Sequence, residues 1–166
     1  LRVTILGSGT SSGVPRIGPD GADWGACDPN APRNSRRRVS LLVQHGDYNV
    51  LVDTSPDLRA QLIDARCGRL DAVLYTHDHA DHANGIDDLR QVLHNQRKPV
   101  DCYATAATLA TLQRRFGYAF NGAPGYPPTQ VQTGTRDLLL SNSVRMHRAL
   151  RAGGVAADLH VWEAMP

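Results

Sequence analysis

The residues best equipped for chemistry cluster in one short span. From position 77 the chain reads His77-Asp78-His79-Ala80-Asp81-His82, and this span holds three of the seven histidines. It directly follows the apolar run AVLYT, which reads as a buried strand. A strand end places side chains at the rim of a sheet, where α/β proteins build their sites. His77 and His79, two apart on an extended turn, can point the same way and offer two imidazole nitrogens to one Zn²⁺. Asp81 and His82 suit a second metal, in a mixed carboxylate and imidazole shell. Two ions about 3.5–4 Å apart can share a hydroxide and polarise an ester or phosphodiester oxygen. The plain alternative is a polar surface loop that opens a helix, with Asp78 or Asp81 as its cap.

Such a cluster needs elements to hold it. Strand patterns are expected at residues 3–6, 39–44 and 50–53, the last two joined through a turn at 45–49. Residues 7–38 hold much of the early Gly and Pro and read as one long loop, a length that is usually functional or mobile. Pro56 is expected to open a helix over 56–65, with Ser55 as its cap and Leu58, Leu62 and Ile63 on one face. A buried strand at 72–75 leads into the histidine cluster. A helix over 86–94, a strand at 100–103 and a helix over 105–116 should follow. Residues 117–128, GYAFNGAPGYPP, interrupt every period. Beyond them a strand at 129–133, a helix at 141–152 and a strand at 159–162 form a βαβ pattern. The reading is α/β.

Composition bounds the function. The chain has 166 residues, 41% of them hydrophobic and 20% charged, which fits one ordinary domain and excludes a disordered, collagen-like or coiled-coil protein. A formal charge of +2 gives no steering of the whole chain toward nucleic acid, and no specific nucleic-acid partner is expected. Cys27, Cys67 and Cys102 form no CxxC pair, which argues against a disulfide framework and a cysteine zinc ribbon. No apolar run approaches a membrane span and the first residues do not read as a signal peptide, so a cytoplasmic location is expected.

Four separated motifs in order carry a family resemblance. LYTHDHADHANGIDDLR resembles the metal motif of the metallo-β-lactamase superfamily, and LVDTSPDLRAQ resembles the strand that precedes it. GSGTSSGVPRIG and RNSRRRVSLLV complete the match, which is similar to the cyclic phosphodiesterase branch and, more distantly, to tRNA 3′-processing nucleases. Over residues 1–126 the resemblance implies the N-terminal half of an αββα sandwich. It also implies a metal-dependent hydrolase of small phosphodiester-type substrates using up to two Zn²⁺ or Mn²⁺ ions. His77, His79, Asp81 and His82 would be the metal ligands, Asp81 would also orient the attacking water, and Asp53 would brace the metal loop from behind. Some members carry a cysteine-rich zinc site in the early loop. Here only Cys27 stands in that loop, so no such site is expected.

The family's later ligands have no clear counterpart after Tyr126. His147 and His160 read as ordinary helix and strand residues. Residues 127–166 instead resemble the C-terminal part of a hormone-sensitive-lipase-type α/β-hydrolase, with Asp137 at the position of the triad acid. A chimera joined near 117–130 and an impaired hydrolase are therefore expected, with a non-catalytic chimeric or truncated chain as the alternative. Half a sandwich should also leave one sheet face uncovered. A serine esterase built on Ser11 of the GTSSG string is the remaining alternative, although no helix can follow this string as a nucleophile elbow requires. Arg33, Arg36, Arg37 and Arg38 form a basic run. It is either a solvated stretch or, through Arg36, Arg37 and Arg38, a contact for substrate phosphate.

Overall fold

Alternation of apolar residues along adjacent strands builds the sheet. In the computed structural model, which describes residues 1–120 and the backbone of residues 131–134, β1 (Arg2–Gly7), β4 (Ser40–His45) and β5 (Tyr48–Val52) pair antiparallel. β6 (Ala72–Leu74), β7 (Asp101–Thr105) and β8 (Val131–Gly134) then add in parallel, giving the order β1-β4-β5-β6-β7-β8. Two residues, Gly46 and Asp47, turn the β4–β5 hairpin, with Gly46 at φ +54°. The parallel strands need crossover helices, and the sequence supplies them as α1 (Leu58–Asp64), α3 (Leu89–Gln96) and α4 (Ala106–Arg115).

Register explains the core. Leu42 faces Leu51, Leu51 faces Val73, and Val73 faces Cys102, one continuous row across four strands that is buried throughout. Leu58, Leu62, Leu89, Val92, Leu109 and Leu112 from the helices close over this row. Each such side chain contributes roughly 1.5–3 kcal/mol on burial. One residue along each strand the side chains point to the other face. There Leu41, Val43, Val50, Val52, Leu74 and Tyr103 are half-buried, while Val3 and Ile5 on the edge strand β1 are 57% and 67% exposed. The helices thus cover one face, and the second face is apolar and partly open.

Several local readings need correction. Residues 7–38 are not one loop: β2 (Arg16–Gly18) and β3 (Gly21–Asp23) form a hairpin, and residues 32–34 make a 3-10 turn. Pro19, Asp20 and Gly21 were a turn signal for that hairpin. The first helix starts at Leu58, not at Pro56. Ser55 Oγ accepts from the Asp57 N–H at 3.2 Å, ahead of the helix. On α1 the buried partner of Leu58 and Leu62 is Gln61, whereas Ile63 is 58% exposed. Residues 86–88 form a 3-10 turn before α3, and Thr105 caps α4 by accepting the Thr108 N–H at 3.0 Å. The irregular stretch begins with a short helix, α5 (Gly117–Phe120), that buries Ala119 and Phe120. The expected elements at 141–152 and 159–162, with Asp137, His147 and His160, lie outside the described residues.

Candidate metal centre

β1, β5, β6 and β7 all run in the same direction, so their C-terminal ends share one rim of the sheet. Asp53 follows β5, the segment from Thr76 to His82 follows β6, and the hydroxyl-rich loop from Ser8 to Ser12 follows β1. The backbone ties these together. Asp53 N–H donates to Leu74 O at 2.9 Å and Thr54 N–H to His82 O at 2.8 Å. Gly85 N–H donates to Thr54 O at 2.9 Å. α2 (Ala80–Ala83), which carries Asp81 and His82, is thereby fastened to the segment after β5. A Cβ on Gly85 would lie 2.0 Å from Ser55 O, so only glycine permits this approach.

Asp53 is 1% exposed and sits at φ +61°, a left-handed conformation that aspartate tolerates better than most residues. Its carboxylate accepts at both oxygens: from Thr76 N–H at 2.7 Å, Thr76 O–H at 2.6 Å and His82 Nδ1 at 2.7 Å. An acceptor-only group fixes every donor around it. In its neutral form His82 then carries its proton on Nδ1, which leaves Nε2 with a free lone pair. Thr76 has spent its one proton on Asp53, so its oxygen accepts from His77 Nδ1 at 2.9 Å. A neutral His77 likewise keeps its proton on Nδ1 and leaves Nε2 open. One buried carboxylate sets two imidazole tautomers, the second through a hydroxyl. Behind it Tyr75 is buried, its phenol oxygen 3.2 Å from Thr54 Oγ1, whose own proton goes to Ala83 O at 3.1 Å, and burial pushes the Tyr75 pKa well above the ordinary value.

The four residues singled out in the sequence are brought together here. The rings of His77 and His79 lie 4.6 Å apart, edge to face, and those of His77 and His82 lie 4.0 Å apart. Asp81 Oδ2 is 3.4 Å from His82 Nε2. Asp53, expected to brace the loop from behind, bonds to Thr76 and His82. Donors meet in pairs: among the described residues no group of three or more His, Cys, Asp or Glu forms a metal-holding set. The pairs nonetheless suit a borderline divalent ion, with free imidazole nitrogens, one carboxylate and a buried second layer that holds the rings in orientation. Thr76 was missed in the sequence, although a hydroxyl between a strand and a histidine was a usable signal.

The basic run separates into different roles. Arg38 pairs with Asp57 at 2.8 Å and also donates its N–H to Asp57, and Arg37 pairs with Asp64 at 2.7 Å. Both arginines therefore anchor the chain to α1. Arg36 is exposed and donates to the Ser8 hydroxyl at 3.1 Å, on the rim loop. Ser11 lies in a turn closed by Gly13 N–H to Thr10 O at 2.9 Å. The next element is strand β2, so the elbow geometry of a serine nucleophile is absent there. No helix among the described residues is long and apolar enough to cross a membrane.

An α/β sheet whose parallel strand ends present an imidazole and carboxylate cluster defines the class. A sequence model of the beta-lactamase superfamily domain matches residues 48–157, and the chain belongs to the metallo-β-lactamase superfamily. The crystal structure of a new diphosphatase from the PhnP family matches with 36% identity and a TM-score of 0.69, over 81% of this chain and 50% of that one. An octanoyltransferase of Porphyromonas gingivalis is 39% identical over 132 residues, 79% of this chain and 26% of its own length. A ribonuclease Z of Bradyrhizobium is 39% identical over 70 residues, 41% of this chain and 23% of its own length. The chain thus spans about a quarter of the two curated relatives and half of the solved structure.

Proposed function

We propose that this chain carries part of the centre of a metal-dependent hydrolase acting on small phosphodiester-type substrates. The observation that carries the reading is the Asp53 network, which leaves His77 Nε2 and His82 Nε2 as free donors beside His79 and Asp81. Zn²⁺ or Mn²⁺, up to two ions, fits this donor set. When bound, such ions supply a nucleophile at neutral pH and polarise the reacting oxygen. His77 and His79 would hold one ion and Asp81 with His82 the other, with Asp81 also orienting the nucleophile. Arg36 would meet a substrate phosphate oxygen, a role supported by its guanidinium being held only by the Ser8 hydroxyl in the described contacts. The phosphodiester choice is supported by likeness to the diphosphatase and the ribonuclease Z. Paired donors imply weak metal loading and an impaired rate. A cytoplasmic location and a division of the chain at residue 126 belong to the same reading.

Metal content of the purified protein, with His77→Ala and His79→Ala as references, tests this directly. Titration with Zn²⁺ or Mn²⁺ to saturation should load up to two equivalents, with slow, chelator-sensitive hydrolysis of a nitrophenyl phosphodiester. Arg36→Ala should raise KM more than it lowers kcat. Wild type holding no more metal than the histidine variants would overturn the reading. A non-catalytic role is the second reading, favoured by the partly open apolar face that ends in Val3 and Ile5. It predicts weak metal binding, no hydrolysis and concentration-dependent association.

A further inference from the structure

The metal-binding segment is gripped from a second side. α4 ends in two basic residues, Arg114 and Arg115. Arg114 Nη2 stays on its own helix, donating to Thr111 Oγ1 at 2.9 Å. Arg115 instead reaches back across the chain. Its Nη1 donates to Asp78 O, and its Nη2 donates to Asn84 Oδ1 at 2.6 Å. The Phe116 ring lies 4.9 Å from the guanidinium carbon and supports it from one side. Asp78 stands between His77 and His79, and Asn84 is the residue that ends α2.

The two grips interleave. Asp53 acts at Thr76 and His82, while Arg115 acts at Asp78 and Asn84. A planar guanidinium can satisfy two acceptors in a fixed fork, whereas an ammonium meets them as a point charge. The carbonyl it holds belongs to the peptide that joins Asp78 to His79, so it sets the direction in which His79 leaves the chain. His79 is exposed, and neither the Asp53 network nor its Thr76 relay includes its ring.

We propose that Arg115 is a positioning residue for the metal centre, holding the 78–84 segment so that His79 stays in register with His77. This rests on the metal reading above. It also makes a prediction of opposite sign to simple electrostatics. A cation beside divalent ions repels them, so its removal by charge alone would tighten metal binding. Removal of a positioning contact weakens it.

The experiment is a Zn²⁺ titration of wild type, Arg115→Ala, Arg115→Lys and Arg114→Ala, paired with amide hydrogen exchange. Arg115→Ala should bind Zn²⁺ about 10-fold more weakly, the scale seen for outer contacts to metal ligands. The His82, Ala83 and Asn84 amides, which bond back to His79 and Ala80, should exchange faster while those of β5 and β6 do not change. Arg115→Lys should recover part of the loss, and Arg114→Ala should match wild type. Unchanged or tighter Zn²⁺ binding by Arg115→Ala overturns the proposal, as does faster exchange spread evenly over the whole chain. If wild type binds no more Zn²⁺ than His77→Ala, the metal reading fails on its own. Exchange confined to 82–84 then still supports positioning by Arg115, and its absence refutes it.

Discussion

Replacing Asp53 by Asn tests the tautomer argument with little change of shape. The Asn oxygen can still accept the Thr76 N–H, now 2.7 Å from Asp53 Oδ1. Its NH₂ group then occupies the place of Oδ2, which lies 2.6 Å from Thr76 Oγ1 and 2.7 Å from His82 Nδ1. A donor there reverses both partners. His82 Nδ1 must accept, so its proton moves to Nε2. Thr76, relieved of donating to residue 53, turns its proton toward His77 Nδ1 and drives the same change one residue further. Two imidazole Nε2 atoms lose their free lone pairs through one atom exchange. Asn also tolerates the φ of +61°, so no backbone strain is added. Loss of charge assistance should cost about 1–2 kcal/mol of stability, a fall in Tm on the order of 5 °C. Zn²⁺ affinity should fall about 100-fold, or about 2.7 kcal/mol, because two ligands are misprotonated. Long-range ¹H–¹⁵N spectra of the histidine rings report the tautomers, and a Zn²⁺ titration reports the affinity. If His82 keeps its proton on Nδ1 in Asp53→Asn and the affinity is unchanged, the reasoning is wrong.

Three further outcomes follow from the packing. Gly85→Ala would force a Cβ to 2.0 Å from Ser55 O, so urea denaturation should show a loss of about 1–3 kcal/mol. Asp57→Ala strands the half-buried Arg38 and its N–H and should cost about 1.5–3 kcal/mol, whereas Asp64→Ala breaks an exposed pair and should cost less than about 0.5 kcal/mol. Burial pushes the Cys102 thiol from the ordinary 9.0 up to about 12. Unfolded chains release that proton earlier, so the contribution is fully present below pH 9.0 and is lost as pH rises toward about 12. Urea midpoints measured from pH 8 to pH 11 should fall above pH 9, less steeply in Cys102→Ala, and an identical slope in the two proteins would contradict the burial argument.

Period and punctuation made much of this legible in advance. Residues 39–53 alternate clearly enough to reveal the β4–β5 hairpin, and AVLYT before a histidine cluster located the rim. Asp53 was found only through resemblance, since nothing local distinguishes it from Asp57 or Asp64. Short elements were missed because three residues of β2 or β3 carry no measurable period, although the Pro-Asp-Gly turn between them was readable. Ile63 and Gln61 exchanged roles because helix phase depends on where the helix starts, and it starts two residues after Pro56. The arginines could not be ranked from spacing. Which of them meets an acid is decided by α1, whose Asp57 and Asp64 lie 19 and 27 residues further along the chain. Arg115, 37 residues from its acceptor, left no local trace at all.

The histidine segment is held against the strand ends through main-chain bonds, His82 to Thr54 and Thr54 to Gly85, and through Asp53 and Arg115. None of these bonds uses the side chains at 77, 79 or 81. Stability and chemistry are therefore written in different atoms. Positions 77, 79 and 81 can change type while the peptide path beneath them stays where it is. A scaffold of that kind can lose one reactivity and acquire another without passing through an unfolded ancestor.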